Sequence, residues 1–257
     1  MPAPLNPFKA RLKAGERLIG CWMSLADLYA AEILGSAGFD WIVVDGEHAP
    51  NDIRSIRDQL IALEASPTQA VVRVPIGEAR LIKQVLDLGA QTVMVPMVES
   101  AAQAAELVRA CRYPPKGLRG VGAAASRATR FSAMSDYVAT ADDQICLLVQ
   151  VESRAAVAAI DDIIAVEGVD GVFIGPADLS TDMGFAGNAR APEVEEVILA
   201  TLARIAAAGK APGILSTQPE TTALYRDGGA QFLAVGIDVL MLARTARAAA
   251  ERWKASD

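Results

Sequence analysis

A single closed barrel of eight parallel strands and eight helices, a (β/α)8 fold, is what this 257-residue chain predicts. Three observations carry that expectation. Short apolar runs recur eight times, Ala/Leu-rich stretches separate them, and the length suits one barrel of ~250 residues. The runs span 17–24, 39–47, 69–75, 92–98, 145–152, 169–176, 211–216 and 231–238. They are continuous rather than alternating and are bounded by Gly, Pro or a charge, the pattern of strands buried on both faces. An open doubly wound sheet would show the same periodicity, because periodicity does not report closure. The reading adopted is one barrel domain over residues 1–257.

The helical stretches follow in order. A short helix is expected at about 5–14, ahead of the first run. Residues 26–38 and 77–90 end in glycines suited to closing a helix. Ser100 is placed to cap a helix over 100–113. Pro192, Glu193 and Glu195 open the stretch 192–210, where proline is tolerated and negative charge suits the helix dipole. A final helix at about 239–254 closes the chain. Two stretches do not fit a plain barrel: 113–140, too long and irregular for an ordinary connection, and 179–191, a Gly-rich loop after the sixth run.

Composition narrows the function classes. The net charge is 24 − 31 = −7, which argues against nucleic acid or an anionic membrane as partner. Cys21, Cys111 and Cys146 show no Cys-x-x-Cys spacing, which suits a reducing compartment. The first residues carry prolines and charges where a signal peptide needs an apolar run, and no apolar stretch is long enough to span a bilayer. The expectation is a cytoplasmic protein.

In such barrels the residues just past the strands' C-terminal ends line the active site. Those positions are Asp45, Glu47 and His48 after the second run, Arg73 in the third, Glu99 after the fourth, Gln150 and Glu152 in the fifth, and Asp178 after the sixth. No equivalent polar cluster precedes the runs, and this asymmetry points to an enzyme. His48 is the only histidine, so zinc sites built on several histidines are excluded. A carboxylate beside it would let it serve as a general base; the competing reading is a loop histidine. Glu152 and Asp178 lie one βα unit apart, and two converging carboxylates need a cation or a proton between them. Oxygen ligands favour Mg²⁺ or Mn²⁺, with Co²⁺ or Zn²⁺ as alternatives; taken singly, each carboxylate could merely cap a helix or turn. Arg73, inside an apolar strand, needs an anionic or carbonyl partner, either a substrate or an ion pair with Asp45 or Glu152. Amides around Gly175, Pro176 and Ala177 could receive a small carboxylate. None of the six lysines lies inside a run, which disfavours Schiff-base chemistry, and no nucleotide-binding glycine motif is present.

At these residues the chain resembles the HpcH/HpaI family of metal-dependent pyruvate aldolases. The segments are WIVVDGEHAPND (41–52), VRVP (72–75), KQVLDLGAQTVMVPMVES (83–100), YPPKGLRGVG (113–122), ASRATRF (125–131), QVES (150–153) and DGVFIGPADLS (170–180). The resemblance implies a (β/α)8 barrel, a divalent cation and a hexamer, a trimer of dimers that exchanges its last helix. It implies Glu152 and Asp178 as metal ligands, Arg73 on the keto oxygen, and His48 with Asp45 as the acid/base pair. Gln150 is similar to a polar contact near the metal, 175–177 to the carboxylate site, and Asp87 to a residue reaching a neighbouring subunit's site. Leu215, at the end of the seventh run, is added to the substrate-facing set. One departure is that Phe185 and Ala191 stand in the loop where some relatives carry histidines. The function so implied is reversible cleavage of 4-hydroxy-2-oxo acids to pyruvate, or hydroxypyruvate, and an aldehyde. Two rivals are a citryl- or malyl-CoA-type lyase of the same barrels and a non-catalytic 2-keto acid sensor.

Overall fold

The computed structural model describes residues 1–254. Eight parallel strands close in sequence order into one barrel: β1 Leu18–Met23, β2 Trp41–Asp45, β3 Gln69–Arg73, β4 Thr92–Val95, β5 Cys146–Val151, β6 Gly171–Ile174, β7 Ala211–Leu215 and β8 Phe232–Ile237. Around and below them run α1 Pro7–Lys13, α2 Leu28–Ser36, α3 Ile53–Glu64, α4 Ala79–Asp87, α5 Ala101–Cys111 and α6 Tyr137–Thr140. The chain continues with α7 Arg154–Ala158, α8 Ile160–Ile164, α9 Pro176–Asp182, α10 Pro192–Ala207, α11 Pro219–Asp227 and α12 Asp238–Lys254. Among the described residues no helix is long and apolar enough to cross a membrane.

The continuous apolar runs divide by parity, since alternate strand residues face opposite sides of the sheet. Val44, Val72, Val93, Val149 and Val172 join the helices in the outer core. Trp22, Trp41, Val43, Val71, Met94, Cys146, Leu148, Phe173 and Phe232 fill the barrel. Bulk in that interior is met by absence of bulk: a Cβ on Gly20 would fall 2.3 Å from the Trp41 ring. The lower end is plugged by α1. Its Phe8 is 1% exposed and packs edge-on to Phe232 at 6.0 Å, burial worth roughly 1.5–3 kcal/mol. Asn6 caps that helix and donates from Nδ2 to the Gln91 and Gln144 carbonyls, tying the N-terminal arm to the barrel floor.

Three sequence expectations change. The stretch 113–140 follows α5, so it lies on the end of the barrel where strands begin. There it forms α6 and packs Tyr113, Ala128 and Tyr137 against Ala3. The stretch 179–191 is partly helical, because α9 runs to Asp182 before the loop starts. The strand beginnings are also not bare of charge. Asp40 accepts from the Ile19 N–H and pairs with Arg11 at 2.8 Å, and Asp170 accepts from the Leu147 N–H and pairs with Lys9 at 3.4 Å. These carboxylates cap exposed strand ends, so charge at one end alone does not mark the site.

Candidate active site

The interior positions of β1, β2 and β3 end in Trp22, Asp45 and Arg73, which form one unit. Arg73 Nε donates to Asp45 Oδ1 at 2.8 Å and Nη2 to Oδ2 at 2.7 Å. The guanidinium lies over the Trp22 ring at 4.8 Å, and Trp22 Nε1 donates to Asp45 Oδ2 at 3.1 Å. Glu47 Oε2 meets Nη1 at 2.6 Å. Of the two ion pairs considered for Arg73, the one with Asp45 forms. The arginine still has N–H groups to give, because each terminal nitrogen carries two. Burial works to raise the Asp45 carboxyl, but the bonds and charge of Arg73 hold it below the usual carboxylate range.

His48 does not pair with Asp45 as expected. Asp45 Oδ1 accepts instead from the backbone N–H of Glu47 and of His48, at 3.0 and 3.4 Å, because Arg73 already occupies the carboxylate. The carboxylate beside the ring is Glu47, whose Oε2 lies 3.8 Å from His48 Nε2. The imidazole is 69% exposed at the mouth, while Glu47 is only 17% exposed. Burial pushes the Glu47 carboxyl up, helped by Asp45 and Asp178 and opposed by Arg73 and His48.

Glu152 follows β5 and is 4% exposed. Its Oε1 accepts from the Met97 N–H at 2.8 Å and its Oε2 from Gln150 Nε2 at 2.7 Å. Met97 holds a left-handed φ of 54°, a conformation costing about 1–3 kcal/mol, while making that donation. Gly175 is required opposite, since a Cβ there would fall 2.4 Å from Glu152 Oε2. Burial is the largest influence on Glu152, and with Asp178 and Glu47 it pushes the carboxyl up to about 7 against the Met97 bond and Arg73. Gly175 and Pro176 open α9, Ala177 and Asp178 follow exposed in its first turn, and no side chain caps that helix. Leu215 packs on the interior cluster at the end of β7.

Four carboxylates, Asp45, Glu47, Glu152 and Asp178, thus act on one another around a single arginine and one histidine. That excess of negative charge, with a buried carboxyl resisting ionisation, fits a cation held by oxygen donors. Among the described residues no three His, Cys, Asp or Glu side chains form a ready cage, so the protein's share would be the two carboxylates foreseen, Glu152 and Asp178. Glu99 stands aside, accepting from Ser153 Oγ. Asp87 ends α4 at the opposite end of the barrel, where Arg119 Nη2 donates to it at 2.8 Å. A cleft of about 270 Å³ at that end, bounded by Glu64, Arg127, Arg130 and Tyr137, contains none of the strand-end groups. Sequence reasoning missed Trp22, Met97 and the role of Glu47. Parity along 17–24 marks Trp22 as interior, but nothing in the sequence announces the Met97 backbone.

The family model described as HpcH/HpaI aldolase/citrate lyase matches residues 18–245. A hydroxypyruvate/pyruvate aldolase of Roseovarius nubinhibens is 59% identical over 257 residues, covering 100% of both chains. A 4-hydroxy-2-oxo-heptane-1,7-dioate aldolase of Escherichia coli is 52% identical over 250 residues, 97% of this chain and 95% of that one. The crystal structure of a HpcH/HpaI aldolase/citrate lyase family protein from Burkholderia cenocepacia superposes with a TM-score of 0.93 at 42% identity, covering 97% of this chain and 99% of that one.

Proposed function

The chain belongs to the HpcH/HpaI aldolase/citrate lyase family and is an aldolase, and we propose that it cleaves 4-hydroxy-2-oxo acids reversibly to pyruvate, or hydroxypyruvate, and an aldehyde. The observation that carries this reading is Arg73, locked on both oxygens of Asp45 over Trp22 beside a carboxylate cluster. Together with the relatives' names, it favours an aldolase over the CoA-type lyase or the sensor.

Breaking the C3–C4 bond of such an acid sends its electron pair through C2 to the keto oxygen, so negative charge grows there. The remaining Arg73 N–H groups meet that charge from a guanidinium already oriented by Asp45, an effect worth about 10²–10³ in rate. His48 takes the proton from the 4-hydroxyl as the aldehyde forms and returns it in synthesis, worth about 10²–10⁴. Backbone at Gly175–Ala177 receives the acid's carboxylate, with Gln150 and Leu215 bounding the substrate. Glu152 and Asp178 would hold a divalent ion, Mg²⁺ or Mn²⁺ first, which supplies Lewis-acid polarisation of the keto acid when bound.

The assembly reading rests on α12 and Asp87. In the 17-residue α12 only Asp238 is buried, and Val239, Leu240, Met241, Leu242 and Trp253 are exposed, as suits a helix exchanged between copies in a hexamer. Asp87 lies at the wrong end of its own barrel, so a role in catalysis requires a neighbouring subunit.

The first test is deuterium uptake into the pyruvate methyl group, followed by proton NMR with Mg²⁺ or Mn²⁺ and after chelation. Exchange that stops on chelation supports this chemistry without knowledge of the aldehyde. Pyruvate that binds but does not exchange moves the reading to hydroxypyruvate as donor, and a failure of both keto acids to exchange at C3 overturns it.

A further inference from the structure

Gln150 continues the interior row of β5 above Cys146 and Leu148, pairs in register with Phe173, and is 3% exposed. Its amide orientation is fixed by chemistry. Nε2 donates to Glu152 Oε2 at 2.7 Å, and against the ionised carboxylate that would hold a metal the flipped amide would set one oxygen against another. The other end, Oε1, is buried and accepts from no group among the described residues. A buried acceptor without a donor has given up its hydration for nothing, so at a strand end facing a substrate site it calls for a ligand that donates. Two further orphan oxygens, Gln59 Oε1 and Thr221 Oγ1, belong to α3 and α11 outside the barrel.

The two candidate donors differ in this one respect. Pyruvate at neutral pH presents acceptor oxygens and a methyl group, and has nothing to donate. Hydroxypyruvate is the same molecule with a hydroxyl on C3, which supplies one O–H. We propose that Gln150 Oε1 accepts the C3 hydroxyl of hydroxypyruvate and of the 3,4-dihydroxy-2-oxo acids it forms. Gln150 is then a specificity-determining residue that selects a hydroxylated donor over its deoxy counterpart. This inference rests on the aldolase reading above. The Nε2 end serves both donors alike by holding Glu152, and the Oε1 end separates them.

The test compares aldol addition of hydroxypyruvate and of pyruvate to one aldehyde, in wild type and in Gln150→Met. The variant removes the Glu152 contact for both donors, so that loss cancels in the ratio of their kcat/KM values. The ratio of hydroxypyruvate to pyruvate should fall about tenfold, the worth of one such hydrogen bond. Equal losses for the two donors overturn the assignment and leave the aldolase intact, whereas a wild type that turns over neither donor defeats the underlying reading. A second measurement needs no variant. On wild-type enzyme with Mg²⁺, hydroxypyruvate should bind about tenfold more tightly than 2-oxobutyrate, which carries a methyl of similar size in place of the hydroxyl and does not donate. Equal affinity for the two overturns the proposal even if Gln150→Met does not fold.

Discussion

Among the described residues two arginines are buried, one at each end of the barrel, and they are held in opposite ways. Arg73 at the mouth is 7% exposed and grips both oxygens of Asp45, meets Glu47, and lies over Trp22. Arg119 at the far end is fully buried and has one oxygen of Asp87. Its Nε and Nη1 have no partner among the described residues, and its guanidinium faces the rings of Tyr113 at 4.4 Å and Tyr137 at 6.0 Å. Burial opposes its charge, yet Asp87 and the tyrosines hold it firmly ionised. A guanidinium whose three nitrogens each meet a carboxylate oxygen, but whose terminal nitrogens each keep one further N–H, can serve a substrate. One enclosed by aromatic rings can only brace the segment that carries it, here the long stretch after α5 and the end of α4.

The sharpest way to break this contrast is Arg73→Met. Turnover should fall by about 10²–10³ through loss of charge stabilisation. Stability should fall as well, by about 3–5 kcal/mol, because Asp45 is left buried and unpaired. Arg73→Lys keeps the charge but cannot engage two oxygens in parallel, so it should recover stability before it recovers turnover. Kinetics beside thermal melts separate the two losses; full turnover in the lysine variant would show that the planar fork is not used.

Next in size is the response of the chelated protein to pH. Glu152 keeps its proton to about 7 when folded and loses it near its ordinary value of 4.5 when unfolded. Between those values the folded state binds more protons, so stability falls as pH rises, by about 3 kcal/mol, and then levels off. Glu47, also raised, adds in the same direction, while Asp45, held low, matters only below this window. Adding Mg²⁺ should therefore raise the melting temperature more at pH 8 than at pH 5. A melting temperature that climbs with pH in the presence of chelator would contradict the placement of these carboxylates.

Arg119→Met should cost less, about 1–3 kcal/mol, because Asp87 is 26% exposed and water can reach it. Deuterium exchange into pyruvate should survive, whereas turnover with an aldehyde should drop if Asp87 serves a neighbouring subunit. Loss of exchange equal to that in Arg73→Met would erase the distinction between the two ends.

The mouth was far more legible in the sequence than the far end, for a physical reason. Strand ends in a barrel are fixed by period and parity, so the sequence places Asp45, Arg73, Gln150 and Glu152 together, with Asp178 in the turn that follows β6. The eight runs bracket the eight strands for the same reason. Helices α3, α7 and α8 are not singled out by the sequence, for separate causes. The α3 signal was present, with Asp52 and Ser55 forming a capping box and Ile56, Leu60 and Leu63 a buried stripe, although polar residues dilute it. The five-residue α7 and α8 are too short to display a helical period. Contacts set by rotamers, such as Glu47 rather than Asp45 beside His48, and by a left-handed backbone, as at Met97, leave no periodic trace.

Glu47→Gln is the smallest change and separates the two roles within the mouth itself. Arg73 retains Asp45 in this variant, so the site keeps its oriented guanidinium. His48 instead loses the carboxylate oxygen 3.8 Å from Nε2, the neighbour placed to steady the ring during bond cleavage. Cleavage should therefore slow about tenfold more than methyl exchange does, within the span ascribed to general base catalysis. Stability should move the other way. Burial and the neighbouring carboxylates disfavour the Glu47 charge, so at pH 8 the chelated variant should melt slightly above wild type. Equal slowing of both reactions would place Glu47 with Asp45 as a holder of Arg73 alone, and a lower melting temperature would mean that its ion pair outweighs the cost of its burial.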